Sequence, residues 1–234
     1  MRKTSRRRYL LYMSGFAISI GSFLALAYTK KWIGLFERNE KTSGNESITK
    51  MRIPPGQREI SQLQVLHVGG IPSFDPSKWN FEVLGLVRTP TVLSWMEFKA
   101  LTETESLSDF HCVTGWSKLD NRWGGVQFRK ISEIVQPEPN AHYATIICDG
   151  GYTTSLPLLE LLDDDVLFAY KLDNKDLEPR FGGPLRLVVP KKYAYKSAKW
   201  VRKVKFTEQQ ELGYWELRGY SNTADPWTED RYNT

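Results

Sequence analysis

Phe110-His111-Cys112-Val113-Thr114-Gly115-Trp116-Ser117, followed three residues later by Asn121-Arg122-Trp123-Gly124-Gly125-Val126, is the stretch on which the reading of this chain turns. Cys112 stands among tryptophans, glycines and polar residues, whereas the only other cysteine, Cys148, closes the aliphatic run Tyr143–Cys148. A structural cysteine behaves as a small hydrophobe and suits the second setting. A working thiolate needs a nearby positive charge or a metal, and His111 and Arg122 are the close candidates for charge. The alternative is a Cys112–Cys148 disulfide stapling an exported, non-catalytic binding domain. Three scattered histidines make no zinc-ligand spacing.

Two segments further along bear on this choice. Phe181-Gly182-Gly183-Pro184-Leu185-Arg186-Leu187-Val188-Val189-Pro190 places a Gly-Gly-Pro turn before an apolar strand that carries one arginine. Glycine lets the backbone approach a ligand closely. Tyr195-Lys196-Ser197-Ala198-Lys199-Trp200 then gathers two lysines, a hydroxyl and backbone amides in one short turn, a suitable grip for a single phosphate. Separately these segments read as a hairpin turn and a solvated basic face.

Taken in order and spacing, the three segments resemble the molybdopterin-binding domain of the sulfite-oxidase family, over roughly residues 62–231. The resemblance implies a strand-rich, mixed α+β domain that binds Mo-molybdopterin. It implies Cys112 as the molybdenum ligand and catalytic centre, Arg186 against the pterin, and Lys196, Ser197, Ala198 and Lys199 around the terminal phosphate. His67, Val68 and Gly69 fall in the family's early pterin-contacting loop, and His111 adjoins the metal ligand. Asp149–Tyr152 matches a segment that lines the site. Phe181 stands where relatives carry His or Asn, so that hydrogen bond is lost or replaced. Val68 stands where sulfite oxidases carry an arginine for the sulfite anion. The Cys-Val-Thr-Gly-Trp-Ser run and the Asp225-Pro226-Trp227 ending are closer to bacterial periplasmic methionine-sulfoxide reductase subunits. The implied activity is two-electron oxygen-atom transfer on a small substrate, a sulfoxide or sulfite. No haem motif is visible, so the resemblance implies an external electron partner such as a membrane cytochrome, and a monomeric catalytic domain.

Charge and the N-terminus fit an exported protein. Seven of the 32 basic residues lie in residues 1–31 with no acidic one, which leaves 25 against 27 acidic in the remainder. That near-neutral body excludes a global footprint for nucleic acid. Tyr9–Tyr28 is an uncharged run of bilayer-spanning length preceded by five basic residues, which favours a cytoplasmic N-terminus. Ser5-Arg6-Arg7-Arg8-Tyr9-Leu10 reads as a twin-arginine signal or as a plain signal anchor, and Ala25-Leu26-Ala27 as a cleavage site that is used or not. Residues 1–31 are thus expected to be a signal or anchor, 32–61 a linker, and 62–234 the folded, extracytoplasmic domain.

Within that domain, periodicity predicts strands over Trp79–Val87, Tyr143–Cys148, Leu185–Val189 and Trp200–Phe206. Ser94 with Glu97 predicts a capped short helix, and Pro157 a helix through Leu162 with Ser155 as a cap.

Overall fold

The computed structural model describes residues 51–233. The expected signal or anchor at 1–31 and the first part of the linker lie outside the described residues. The packed body runs from Arg52 onward, ahead of the expected start near Gln62. Arg52 fixes that edge with bonds to Asp109 and Asp120, and β1 (Arg58–Glu59) pairs parallel to β5 (Trp116–Gln127). Among the described residues, no helix is long and apolar enough to cross a membrane.

Two sheets carry the body. In the first, β1, β5, β8 (Leu167–Leu172) and β10 (Arg186–Val188) lie side by side. β4 (Thr104–Cys112) adds to β5 and β9 (Lys175–Asp176) to β8. In the second sheet the order is β3 (Thr91–Ser94), β2 (Asn80–Gly85), β11 (Val201–Thr207), β6 (Tyr143–Cys148), β7 (Thr153–Pro157). Only β2 with β11 pairs parallel there. Three short helices complete the body: α1 (Trp95–Lys99), α2 (Phe128–Val135) and α3 (Leu158–Leu161).

The centre of the first sheet, at β8 and β10, is buried on both faces, and this positions the site. Successive side chains of a strand point to opposite faces. Phe168 and Tyr170 of β8 join the large core, with Phe81, Val83, Ile146 and Val204 from the second sheet. Leu167 and Ala169 face the other way and join a smaller cluster with Phe110, Cys112, Trp116, Trp123 and Val188. Gly125 permits the close pairing of β5 with β8: a Cβ there would stand 2.1 Å from the Phe168 carbonyl oxygen. The strand register also shifts between Gly124 and Gly125.

Local signals were legible where they were local. The Ser94–Glu97 capping box forms, with Glu97 N–H donating to Ser94 Oγ at 3.3 Å and Ser94 N–H to Glu97 Oε2 at 2.8 Å. The strand expected over Trp79–Val87 stops at Gly85, whose φ of +89° allows a close approach to Phe206, where a Cβ would stand 2.2 Å from the carbonyl oxygen. Ser155 is not a helix cap: it lies buried in β7, and Pro157 occupies the N-cap of α3. The alternation expected over Trp200–Phe206 is broken by a bulge between Val201 and Lys203.

Candidate active site

Cys112 is the last residue of β4, and its cross-strand partner Trp116 is the first of β5. The loop between them, Val113-Thr114-Gly115, needs a left-handed residue to close a three-residue hairpin, and Gly115 supplies it with φ +92°. Gly115 N–H donates to the Cys112 carbonyl at 2.9 Å. Two outlying segments hold the same turn: Gln57 Nε2 donates to the Cys112 carbonyl at 3.1 Å, and Arg231 donates to the Val113 carbonyl. The thiol is buried and accepts a hydrogen bond from Thr114 Oγ1 at 3.2 Å. Burial pushes its pKa up, against opposing pulls from Thr114, Arg231 and Lys199. In the free protein it is therefore a thiol, and a metal binding there displaces the proton.

The sulfur opens onto a cavity of about 340 Å³. Arg186, on β10, forms part of its wall and is only 3% exposed. Its guanidinium donates to the Phe181 carbonyl at 2.7 Å and the Ser197 carbonyl at 3.0 Å, and lies over the rings of Phe110 and Trp123. No carboxylate pairs with it among the described residues, and burial alone pulls its pKa down to about 9. Lys199 lines the same cavity and donates to the carbonyls of Leu66 and Arg180, each at 2.9 Å. Burial first, then the neighbouring Arg186, lowers its pKa to about 8. Trp116 also lines the cavity, with its indole N–H buried and unpartnered. No Asp or Glu appears among the described lining residues.

Buried charges in proteins are normally paired. Here two cations line a cavity that has no acid among the described residues, next to a sulfur that can ligate a metal. The donor set therefore fits an anionic, metal-bearing cofactor.

Of the residues named from the sequence, His67, Val68, Cys112, Phe181, Arg186, Ser197, Ala198 and Lys199 come together on this cavity. Gly69, His111 and Lys196 do not line it. Gly69 is exposed in the loop beyond Val68. His111 is the strand neighbour of Cys112 and so faces the other way, where its Nδ1 meets Ser117 Oγ at 2.8 Å. Burial lowers its pKa. Lys196 corrects the expectation most clearly. Its ammonium turns from the cavity into the protein, to the Ser155 carbonyl at 3.1 Å and Glu216 Oε1 at 2.5 Å. The Ser197 and Ala198 amides are spent on the Ala194 and Lys196 carbonyls. Of Asp149–Tyr152, only Tyr152 lines the cavity. Sequence reasoning missed the aromatic wall of Tyr195, Trp215 and Tyr220. The run of aromatics through residues 214–220 was the available signal. The disulfide alternative fails: both cysteines are free, Cys112 in the small cluster and Cys148 in the large core.

Residues 68–215, more than half of the chain, match the family described as oxidoreductase molybdopterin binding domain. The chain belongs to this family. It is 43% identical over 182 residues to the uncharacterized oxidoreductase YuiH of Bacillus subtilis, a match covering 77% of this chain and 92% of the relative. It is 29% identical over 161 residues to the protein-methionine-sulfoxide reductase catalytic subunit MsrP of Campylobacter jejuni, covering 62% and 54%. The chain thus spans about half the length of that reductase. The sulfane dehydrogenase SoxCD of Paracoccus pantotrophus superposes with a TM-score of 0.57 at 18% identity, covering 62% of this chain and 42% of that one, a likeness of fold. The protein is a molybdopterin-dependent oxidoreductase of the sulfite-oxidase type, and the strand-rich α+β architecture agrees with the resemblance.

Proposed function

We propose that this protein acts outside the cytoplasm, exported or tethered through residues 1–31, and reduces a small sulfoxide to its thioether. The balance is sulfoxide plus two electrons and two protons to thioether plus water. An external donor, such as a membrane cytochrome, supplies the electrons. When bound, the molybdenum cofactor supplies the two-electron redox couple and the oxygen-atom exchange. The chain's own residues hold and orient. Cys112 Sγ ligates the metal. Arg186 and Lys199 neutralise the anionic part of the cofactor, with Ser197 and Ala198 shaping the same wall. Val68 lines the cavity where the resemblance places the sulfite-binding arginine of sulfite oxidases, and Trp215 and Tyr220 offer apolar surface suited to a neutral substrate.

One observation carries the proposal: a thiol and two cations that have no acidic partner among the described residues share one cavity. To test it, the protein is made in cells competent for molybdopterin synthesis and its molybdenum is measured. Wild type is expected to hold stoichiometric metal and to reduce methionine sulfoxide or dimethyl sulfoxide with a reduced viologen dye. Cys112→Ser is expected to fold with little or no turnover. A homogeneous, metal-free wild type, or full activity in Cys112→Ser, overturns the assignment. Oxidation of sulfite in preference to sulfoxide reduction overturns the substrate.

A further inference from the structure

Lys196 belongs to the Lys-Ser-Ala-Lys turn yet turns its back on the cavity that Ser197, Ala198 and Lys199 line. Its partner Glu216 lies one residue beyond the family-matched region, between the cavity residues Trp215 and Tyr220. Both side chains of the pair are fully buried. Thr154 Oγ1 completes the junction, donating to the same Glu216 oxygen at 2.7 Å. Glu216 Oε2 remains unpartnered, packed toward Gly213.

The pair is one stitch of a seam. Tyr195 hydroxyl donates to the Ser221 carbonyl at 2.6 Å, and the Tyr195 and Tyr220 rings meet edge to face at 5.5 Å. Trp215 and Tyr220 pack at 4.9 Å. Behind the cavity, therefore, the turn at residues 195–199 is joined to the segment 213–221 that bears the aromatic wall. A well-packed apolar pair would hold two buried segments together at least as firmly as an ion pair. What a charged pair adds is one fixed relative position, because each partner is satisfied only in that geometry.

We infer that Lys196 and Glu216 are positioning residues, which lock the cofactor-side turn to the aromatic wall and so set where substrate sits relative to the cofactor. The kinetic part of this inference rests on the proposed sulfoxide reduction, whereas the coupling of the two segments does not.

Three variants test it: Lys196→Met, Glu216→Gln, and the apolar double Lys196→Met/Glu216→Leu. The double replaces the pair by packing and guards against a simple failure to fold. In cofactor-free protein, hydrogen exchange read by mass spectrometry is expected to quicken in both 194–199 and 213–221 in each single variant, although each changes only one segment. In loaded protein, normalised to molybdenum, the double is expected to raise KM for methionine sulfoxide about tenfold while kcat changes less than threefold. Exchange that quickens only in the mutated segment overturns the coupling. A folded double variant with wild-type KM overturns the positioning role. If wild type reduces no sulfoxide, the proposed function fails, and the exchange data still decide the coupling.

Discussion

Arg186→Met is expected to stabilise the cofactor-free protein, although it removes a fully buried side chain from a tight core. The magnitude follows from the guanidinium's surroundings. Its pKa falls from the ordinary arginine value to about 9 on burial, with no carboxylate among the described residues to oppose the fall. At 1.36 kcal/mol per pKa unit, holding that charge in the folded protein near neutral pH costs about 5 kcal/mol. Methionine removes the cost but leaves the Phe181 and Ser197 carbonyls unpaired, at about 1 kcal/mol each. It also gives up the stacking on Phe110 and Trp123, about 1 kcal/mol net after the thioether's own aromatic contacts. The balance is a gain of about 2 kcal/mol, or roughly 5 °C in Tm for a body of this size.

The loaded protein should respond in the opposite sense, since an anionic cofactor loses a buried partner. Differential scanning calorimetry of the free and loaded forms separates the two effects. The variant should melt higher when empty and gain less on loading. The pH dependence has a definite sign. Below pH 9 the arginine is charged in both states and the penalty is complete. Above pH 9 and up to the ordinary arginine range the unfolded chain binds more protons, so this group's penalty is relieved as pH rises. An empty variant that melts lower than wild type, with an unchanged gain on loading, would refute the picture of Arg186 as an unneutralised charge awaiting an anion.

Lys199, depressed to about 8 from 10.5, makes a contribution to the stability of the empty protein that rises with pH between those values, because for this group the unfolded chain holds more protons. Chemical denaturation across that window should show a shallower rise in Lys199→Met. Gly125→Ala drives a methyl against the Phe168 carbonyl of the neighbouring strand, and about 2–3 kcal/mol should be lost, read from a lower urea midpoint. Ser94→Ala removes a capping box distant from the cavity; it should cost about 1 kcal/mol of stability and leave sulfoxide KM unchanged.

How much of this was legible depends on the range over which each residue is decided. Ser94 with Glu97 announces α1, because a capping box is settled within a few residues. The resemblance brought eight of the expected residues to one cavity, because turn chemistry and spacing survive where pairwise contacts do not. The fates of Lys196 and Lys199 were not legible. They stand three residues apart, yet Lys196 ends a 3-10 turn that aims it at Glu216, and Lys199 follows it onto the cavity. What separates them is an acid 20 residues further along the chain. The sequence offers that acid as one more charge in a polar tail.

The two lysines show how stability and function divide the same turn. A buried cation with an acid facing it is satisfied when the chain folds, and it spends its charge on geometry. A partly or fully desolvated cation with no acid facing it among the described residues leaves the folded protein strained until an anion arrives, and that strain is returned as binding energy. Arg186 and Lys199 are of the second kind, and Lys196 is of the first. An acid placed by substitution on the cavity wall that Arg186 and Lys199 share should therefore have two linked effects: a more stable empty protein, and a cofactor held less tightly by a comparable free energy. Val113→Glu, at the cavity wall beside Cys112, is the accessible case. If its empty form gains stability while molybdenum retention during dialysis is unchanged, then the cations do not hold the cofactor, and their missing partners need another explanation.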